Sequence, residues 1–283
     1  MAIDLALPAR HDPSLRLDER SILLRRLVVR ALDGGARGHI GSSLSLIEIM
    51  RVLYDDILRY RADTPDWPDR DRCILSKGHG CIAQYVMLAE KGFYPHEVLD
   101  TFCRLDSILG GHPEAGKIPG VEASTGALGH GLPIGVGRAL GLRIHGSDAR
   151  VFVITGDGEI NEGSVWEAAL SASKHRLANL TLLIDYNKVQ SAGPTAEILD
   201  LEPLADKWRA FGFVVAEVDG HDVEALRRTL RALPLDHARP TAIICHTVKG
   251  KGLSFAENDA NWHHKSSIKK DLVEQMYDAL EAL

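Results

Sequence analysis

The sequence has few cysteines, no long apolar run and no excess of positive charge. Its four cysteines, Cys73, Cys81, Cys103 and Cys245, are scattered without a CxxC pair, so neither a disulfide framework nor a cysteine-based zinc site is predicted. The apolar runs are too short to span a bilayer, and the N-terminus lacks the pattern of a secretory signal. These features predict a soluble cytoplasmic protein with reduced thiols.

Acidic and basic residues are mixed along the chain rather than segregated. The 33 Lys and Arg residues are outnumbered by 39 Asp and Glu, which gives a formal net charge of -6. A nucleic-acid-binding protein usually carries a basic stripe. The local basic pairs, such as Arg25–Arg26, are better explained as solvated helix faces. We therefore predict no nucleic-acid or membrane partner.

Short apolar segments alternate with helical ones, and no repeat or linker divides them. Residues 1–16 are predicted to be an N-terminal arm, and 17–283 a single domain. A first helix is predicted over 18–32, with Asp18 as its N-cap and Gly34–Gly35 as its end. Strands are predicted at 72–75, 151–155, 180–185, 213–218 and 241–246, and further helices after Ser43 or Ser45 and near 79–91, 130–145, 162–175, 201–211 and 222–233. Because continuous apolar strands are typical of parallel sheets, the pattern predicts an α/β fold, a doubly wound parallel sheet with helices on both faces.

Two polar loops follow neighbouring strands of this predicted sheet. Asp157 lies between Gly156 and Gly158 directly after one strand, and Asn187 follows the next. Ligands of such sheets bind at the carboxyl ends of the strands. Mg2+ takes carboxylate and other oxygens together with phosphate oxygens, and glycines with a following helix start let amides approach a phosphate. A tight turn alone would explain the glycines, but with Asn187 the pattern favours a metal-bridged diphosphate site. The P-loop and GxGxxG motifs are missing.

The segment from Gly156 to Asn187 resembles the thiamine diphosphate (ThDP) binding motif of thiamine-dependent enzymes. The resemblance implies that Asp157, Asn187 and the main-chain carbonyl of Val189 bind Mg2+. It also implies that Gly156, Asp157, Gly158 and Asn187 are cofactor-binding residues, with Gly158 contacting the diphosphate through its backbone.

Four loop histidines narrow the choice among the families of thiamine-dependent enzymes. A single loop histidine is more often a surface or capping residue than a catalytic one. Here, however, the segments GHIGSSLS, LSKGHG, GGHPE, STGALGHG, TVKGKG and NWHHK occur in the order typical of transketolases, from about residue 20 to 268. The chain resembles the transketolase family, and the resemblance implies that His39, His79, His112 and His263 line the substrate channel around the thiazolium ring. Imidazoles exchange protons and hydrogen bonds with hydroxyls near neutral pH.

Other positions carry weaker expectations from the same resemblance. His79, Gly126 and Leu128 are expected to contact the cofactor. Glu162, also counted among the cofactor-binding residues, and Glu167 match acids near the dimer interface, although solvent-facing charges are the alternative.

Three further positions stay open. Lys249 is expected either near the diphosphate or the substrate, or in a mobile surface loop. His130 stands where transketolases more usually have Gln. His264 replaces the usual Gly after the channel histidine, so either His263 or His264 could face the channel.

The resemblance covers only the first domain of a transketolase. A separate C-terminal subunit is therefore expected to supply the pyrimidine-binding domain, its catalytic glutamate and the sugar-phosphate-binding arginines, in an α2β2 heterotetramer. The predicted function is the ThDP- and Mg2+-binding subunit of a two-component transketolase. It would transfer a two-carbon ketol unit from a ketose or ketose phosphate to an aldose acceptor. The alternatives are an α-type subunit of an acyl-transferring 2-oxo acid enzyme and a non-catalytic scaffold subunit.

Overall fold

A five-stranded parallel sheet forms the centre of the molecule, in a computed structural model that describes residues 11–283. The strand order is β1-β2-β3-β5-β4, and every neighbouring pair is parallel. All residues of the central strands β2, β3 and β5 are buried, as expected for a parallel sheet covered on both faces. Of the two edge strands, β1 is also buried, whereas β4 is partly exposed. The strands are β1 (Arg72–Leu75), β2 (Val151–Gly156), β3 (Leu180–Tyr186), β4 (Val214–Asp219) and β5 (Thr241–His246).

Helices cover both faces of the sheet. Side chains alternate between the faces along each strand, so that Cys73 and Phe152 pack with α1, α3, α4 and α9, whereas Ile74 and Val153 pack with α5, α6 and α8. The doubly wound α/β fold predicted from the sequence is therefore confirmed. The helices are α1 (Glu19–Gly35), α2 (Ile40–Leu44), α3 (Ile47–Val52), α4 (Cys81–Glu90), α5 (Gly131–Ile144), α6 (Gly163–Lys174), α7 (Thr195–Ile198), α8 (Leu204–Ala210), α9 (Val223–Arg231) and α10 (Lys270–Glu281).

The first helix begins as predicted but ends later. The Asp18 carboxylate accepts a hydrogen bond from the Ser21 amide at 2.8 Å, which is the geometry of an N-cap. The last residue of α1 is Gly35 rather than Leu32, so the helix ends at the predicted glycine pair, and Ala36 after it adopts the left-handed conformation with φ 49°. A Cβ at Gly34 would lie 2.5 Å from the Asp100 carbonyl oxygen. The glycines therefore lie at the helix end and also allow close packing there.

The second predicted helix is α3, which begins at Ile47, after Ser45 as expected. A short helix that was not predicted, α2, precedes it and begins at Ile40. The Ser43 hydroxyl donates back to the His39 carbonyl oxygen at 2.8 Å, a bond from within a helix rather than an N-cap.

The predicted N-terminal arm, 1–16, lies mostly outside the described residues. At its described end, the Asp12 amide donates to the Asp219 carboxylate at 2.7 Å, next to the carboxyl end of β4. No helix within residues 11–283 is long and apolar enough to cross a membrane.

Candidate cofactor and substrate site

A cavity of about 270 Å³ opens at the carboxyl edge of the sheet. The segments that follow β1, β2, β3 and β5 all contribute to it, because parallel strands end at one edge. Eleven of the twelve residues predicted for the site line this single cavity, although they are spread over more than two hundred positions of sequence. They are His39, His79, His112, Gly126, Leu128, Gly156, Asp157, Gly158, Asn187, Val189 and His263.

Asp157 is a buried carboxylate at the end of β2. One of its oxygens accepts from the Gly158 amide at 2.7 Å, and the other accepts from the Lys188 amide. Burial, together with the nearby Asp185 carboxylate, raises the pKa of Asp157 to about 6. A buried anion with only two amide donors is poorly compensated, which suits a position that receives a cation.

Asn187 and Val189 bring two further oxygens to the same edge. Residues Gly156 and Asp185 are paired in the register of β2 and β3, so the loops after these strands are adjacent. The Asn187 amide nitrogen donates to Asp185 at 3.2 Å. Together with Asp157, this gives one carboxylate, one amide oxygen and one main-chain carbonyl on one cavity, a set of hard oxygen donors that fits Mg2+. Within residues 11–283 no three His, Cys, Asp or Glu side chains are grouped to hold a metal, but this donor set does not require such a group.

A buried ion pair, not identified from the sequence, stands behind these loops. The Lys77 ammonium donates to the Asp185 carboxylate, and their side chains are 1% and 0% exposed. The same carboxylate accepts from the hydroxyls of Ser45, at 2.6 Å, and Thr247. Burial alone would raise the pKa of Asp185, but Lys77 and the hydroxyl donors outweigh burial and lower it. Asp185 therefore remains an anion that orients Asn187.

Lys249 is buried in the cavity wall and is not part of a mobile surface loop. Its ammonium donates to the Val189 carbonyl at 2.7 Å and lies 2.9 Å from His263 Nδ1. Burial and the charge of Lys77 lower the pKa of Lys249 to about 8, so it is mostly a cation at neutral pH. Since an ammonium can only donate, His263 Nδ1 accepts and its proton lies on Nε2.

The loop that carries Lys249 is fixed by a second buried network. The Val248 amide donates to His221 Nε2 at 2.9 Å, and His221 Nδ1 lies 2.7 Å from Glu48. Glu48 in turn accepts two hydrogen bonds from the guanidinium of Arg25. The histidine and the ion pair are completely buried, so this loop has a defined position.

The four predicted channel histidines form a cluster beside the oxygen donors. Ring centroids are 5.3 Å apart for His39 and His79, 5.2 Å for His79 and His263, and 6.1 Å for His39 and His112. Burial, reinforced by neighbouring imidazoles and lysines, lowers the pKa of His39 to about 4 and that of His263 to about 3. Burial lowers the pKa of His79 and His112 as well. Near pH 7 the histidines are therefore neutral, each with one donor and one acceptor nitrogen.

The geometry distinguishes His263 from His264. His263 lines the cavity that contains Asp157, whereas His264 is exposed and lines an adjoining cavity. The two rings both contact His39, with centroid separations of 5.3 and 4.5 Å. His263 is thus the imidazole that faces the predicted cofactor position.

Gly126 has a conformation that requires glycine. Its φ is +133°, and a Cβ would lie 2.8 Å from His112 Cδ2. The backbone of this turn can therefore approach both His112 and the cavity.

Glu162, the twelfth predicted residue, lies outside the cavity. It is exposed at the start of α6, and Glu167 is exposed on the same helix. Their interface role stays a prediction. His130 is also exposed and outside the cavity; its Nδ1 lies 3.1 Å from the Leu128 carbonyl oxygen.

Glu159 is the acidic residue that joins the loops, and sequence reasoning missed it. Its buried carboxylate accepts from the Gly129 amide at 3.0 Å, the Gly156 amide at 3.1 Å and the Ser76 hydroxyl. It thereby connects three of the segments that line the cavity.

Comparison with known proteins agrees with this geometry. The family described as "Transketolase, thiamine diphosphate binding domain" matches residues 18–281. The chain is 43% identical over 259 residues to a subunit of the apulose-4-phosphate transketolase of Phocaeicola vulgatus, covering 92% of each chain. It is 38% identical over 271 residues to the 6-deoxy-6-sulfo-D-fructose transketolase subunit SqwG of Clostridium sp. strain MSTE9, covering 96% of this chain and 97% of that protein.

A solved transketolase gives the same result at the level of structure. The Pichia stipitis enzyme in complex with sedoheptulose-7-phosphate superimposes with a TM-score of 0.86 at 31% identity. The match covers 93% of this chain but 40% of the Pichia chain, so the protein spans about two fifths of that transketolase. The predicted family, fold and subunit type are confirmed: the chain belongs to the transketolase family and spans its thiamine diphosphate-binding domain.

Proposed function

We propose that this chain is the ThDP- and Mg2+-binding subunit of a two-component transketolase. The assembled enzyme transfers a two-carbon ketol unit from a ketose or its phosphate to an aldose or its phosphate. The observation that carries the proposal is a single cavity lined both by Asp157, Asn187 and Val189 and by the cluster of four neutral histidines.

The diphosphate end of the cofactor is held by the loops after β2 and β3. Asp157, Asn187 and the Val189 carbonyl oxygen would hold Mg2+, and the backbone of Gly156 and Gly158 would lie beside the diphosphate. The ammonium of Lys249, which donates to that carbonyl at 2.7 Å, would add positive charge near the diphosphate. Bound thiamine diphosphate supplies the nucleophilic carbon that takes up the two-carbon unit.

The histidine cluster binds and orients the sugar. A neutral imidazole donates to one oxygen and accepts from another, so His39, His79, His112 and His263 can bind adjacent hydroxyls of a ketose. His263 presents its Nε2 proton, because its Nδ1 accepts from Lys249. Such hydroxyl recognition is of little use for a short 2-oxo acid, and the acyl-transfer alternative is therefore not favoured. The intact oxygen and histidine sets argue against a non-catalytic scaffold.

A second chain completes the enzyme. The relatives named above are described as transketolase subunits, and we propose that the partner here supplies the pyrimidine-binding domain. The assembly is an α2β2 heterotetramer in the cytoplasm, with Glu162 and Glu167 at the interface. Their exposure on the free chain is consistent with such a contact. The substrates are sugars or sugar phosphates.

Reconstitution tests the proposal. The chain is mixed with its partner, ThDP, Mg2+, xylulose 5-phosphate and ribose 5-phosphate, and release of glyceraldehyde 3-phosphate is followed. Activity should require every component. Asp157→Ala should weaken the apparent ThDP affinity at least ~100-fold, since loss of groups that merely support a metal ligand already costs 10–100-fold. The exposed Asp206→Ala is the matched control and should leave it unchanged.

Two results would point elsewhere. Release of CO2 from pyruvate without ketol transfer would support the acyl-transferring alternative. A stable complex that binds no ThDP would support a scaffold and overturn the proposal.

A further inference from the structure

A second cavity, of about 260 Å³, adjoins the histidine cluster. It shares His39, His79 and His112 with the cavity that contains Asp157. Two residues that the proposed function does not use, Arg37 and His264, also line it. A group bound there would therefore be continuous with a sugar held by the histidines.

Backbone pairing brings Arg37 and His264 to the same place. Gly38 and Lys265 form an antiparallel bridge with two hydrogen bonds of 3.0 Å. Arg37 and His39 flank Gly38 in sequence, and His264 precedes Lys265. The His39 and His264 rings lie 4.5 Å apart across the bridge. Main-chain pairing thus brings the backbone segments of Arg37 and His264 together, although 227 positions separate the two residues in the sequence.

Among the described residues 11–283, the lining of this second cavity includes the charged Arg37 and no carboxylate. Its polar side chains are Arg37, four histidines and two cysteines. Within residues 11–283 the Arg37 guanidinium makes no hydrogen bond or ion pair. Its five N–H donors are therefore available to a ligand.

We propose that Arg37 and His264 form a subsite for the phosphate group of a sugar-phosphate substrate. A guanidinium binds a phosphate through two parallel N–H···O bonds, and the adjacent His264 donates a further hydrogen bond. The inference rests on the proposed ketol transfer and adds to it: the ThDP-binding chain itself selects phosphorylated sugars, in addition to the arginines expected in the partner. The cavity also leaves room for several waters.

Kinetics of the assembled enzyme test the subsite. Two substrate pairs differ only in a phosphate: xylulose 5-phosphate against xylulose as donor, and ribose 5-phosphate against ribose as acceptor. Arg37→Ala and His264→Gly should each lower kcat/KM for at least one phosphorylated member, by roughly tenfold for the arginine. The neutral member should change less than about twofold. Arg37→Lys keeps the positive charge but loses the paired N–H donors of the guanidinium, so its loss of kcat/KM should be intermediate.

The matched control is Arg104→Ala, which removes an exposed arginine close in sequence to Cys103 of the cavity wall but not itself in the lining. It should leave the preference for phosphorylated substrates unchanged. Equal losses for phosphorylated and neutral sugars, or no loss in any Arg37 variant, would overturn the subsite.

A binding measurement separates this inference from the proposed function. If the wild-type chain and its partner transfer no ketol unit, the proposed function fails. The full chain is then titrated with ribose 5-phosphate and with ribose while its histidine NMR signals are followed. Shifts of the His264 NMR signals that occur with ribose 5-phosphate but not with ribose, and that are lost in Arg37→Ala, support the subsite. Identical responses to both sugars, or none, refute it.

Discussion

Removal of the Lys77 ammonium should destabilise the protein strongly. Lys77 and Asp185 are 1% and 0% exposed, and loss of one partner of a buried pair typically costs 3–5 kcal/mol. In Lys77→Met the carboxylate keeps its hydrogen bonds from Ser45, Thr247 and Asn187. We therefore expect a loss near the lower limit, about 3 kcal/mol in the free energy of unfolding, measured by urea denaturation.

A double-mutant cycle separates the pair from its surroundings. Asp185→Asn retains an acceptor for the hydroxyls but leaves Lys77 without its counter-ion. The double variant Lys77→Met/Asp185→Asn should be at least ~2 kcal/mol more stable than the sum of the single losses predicts. The exposed pair Asp206–Arg209, with side chains 71% and 53% exposed, is the matched control and should couple by less than about 1 kcal/mol. Equal coupling for the buried and exposed pairs would refute the reasoning.

Three further changes have defined outcomes. Gly126→Ala should lower the free energy of unfolding by about 1–3 kcal/mol and should also lower kcat. The reason is that φ at Gly126 is +133° and the new Cβ would lie 2.8 Å from His112. Unchanged thermal unfolding and kinetics would contradict this. Gly137→Ala, in α5, adds a Cβ with nothing within 4 Å and should raise the free energy of unfolding by about 1 kcal/mol, whereas a loss would mean that this face is already packed. His39 in the free chain should titrate near pH 4 rather than 6.5. Its contribution to stability is therefore complete above pH 6.5 and is lost as the pH falls toward 4, and an NMR midpoint near 6.5 would contradict its burial.

The sequence alone predicts where a residue lies in the fold when a short local pattern determines its place. Asp157 and Asn187 each follow an apolar strand, and parallel strands end at one edge of the sheet, so their proximity could be predicted without coordinates. The alternation of apolar and helical segments likewise predicted five strands within one residue at each end.

Long-range packing explains what the sequence did not predict. Lys77 and Asp185 are 108 positions apart, and nothing in either local segment indicates that they form a buried pair. Gly34 and Gly35 predicted the helix end, but not that the carbonyl of Asp100 packs against Gly34. His263 and His264 are adjacent in sequence, yet they line different cavities, because the chain here pairs with Gly38 through Lys265 and His263 contacts Lys249.

The cofactor site is tested most directly by a crystal structure of the chain with its partner, ThDP and Mn2+ in place of Mg2+. We expect an anomalous peak for an Mn2+ ion bound by the Asp157 carboxylate, the Asn187 amide oxygen and the Val189 carbonyl oxygen, with the diphosphate beside Gly158. We also expect His39, His79, His112 and His263 to surround the thiazolium ring. A metal or cofactor bound away from these oxygens would contradict the proposed site.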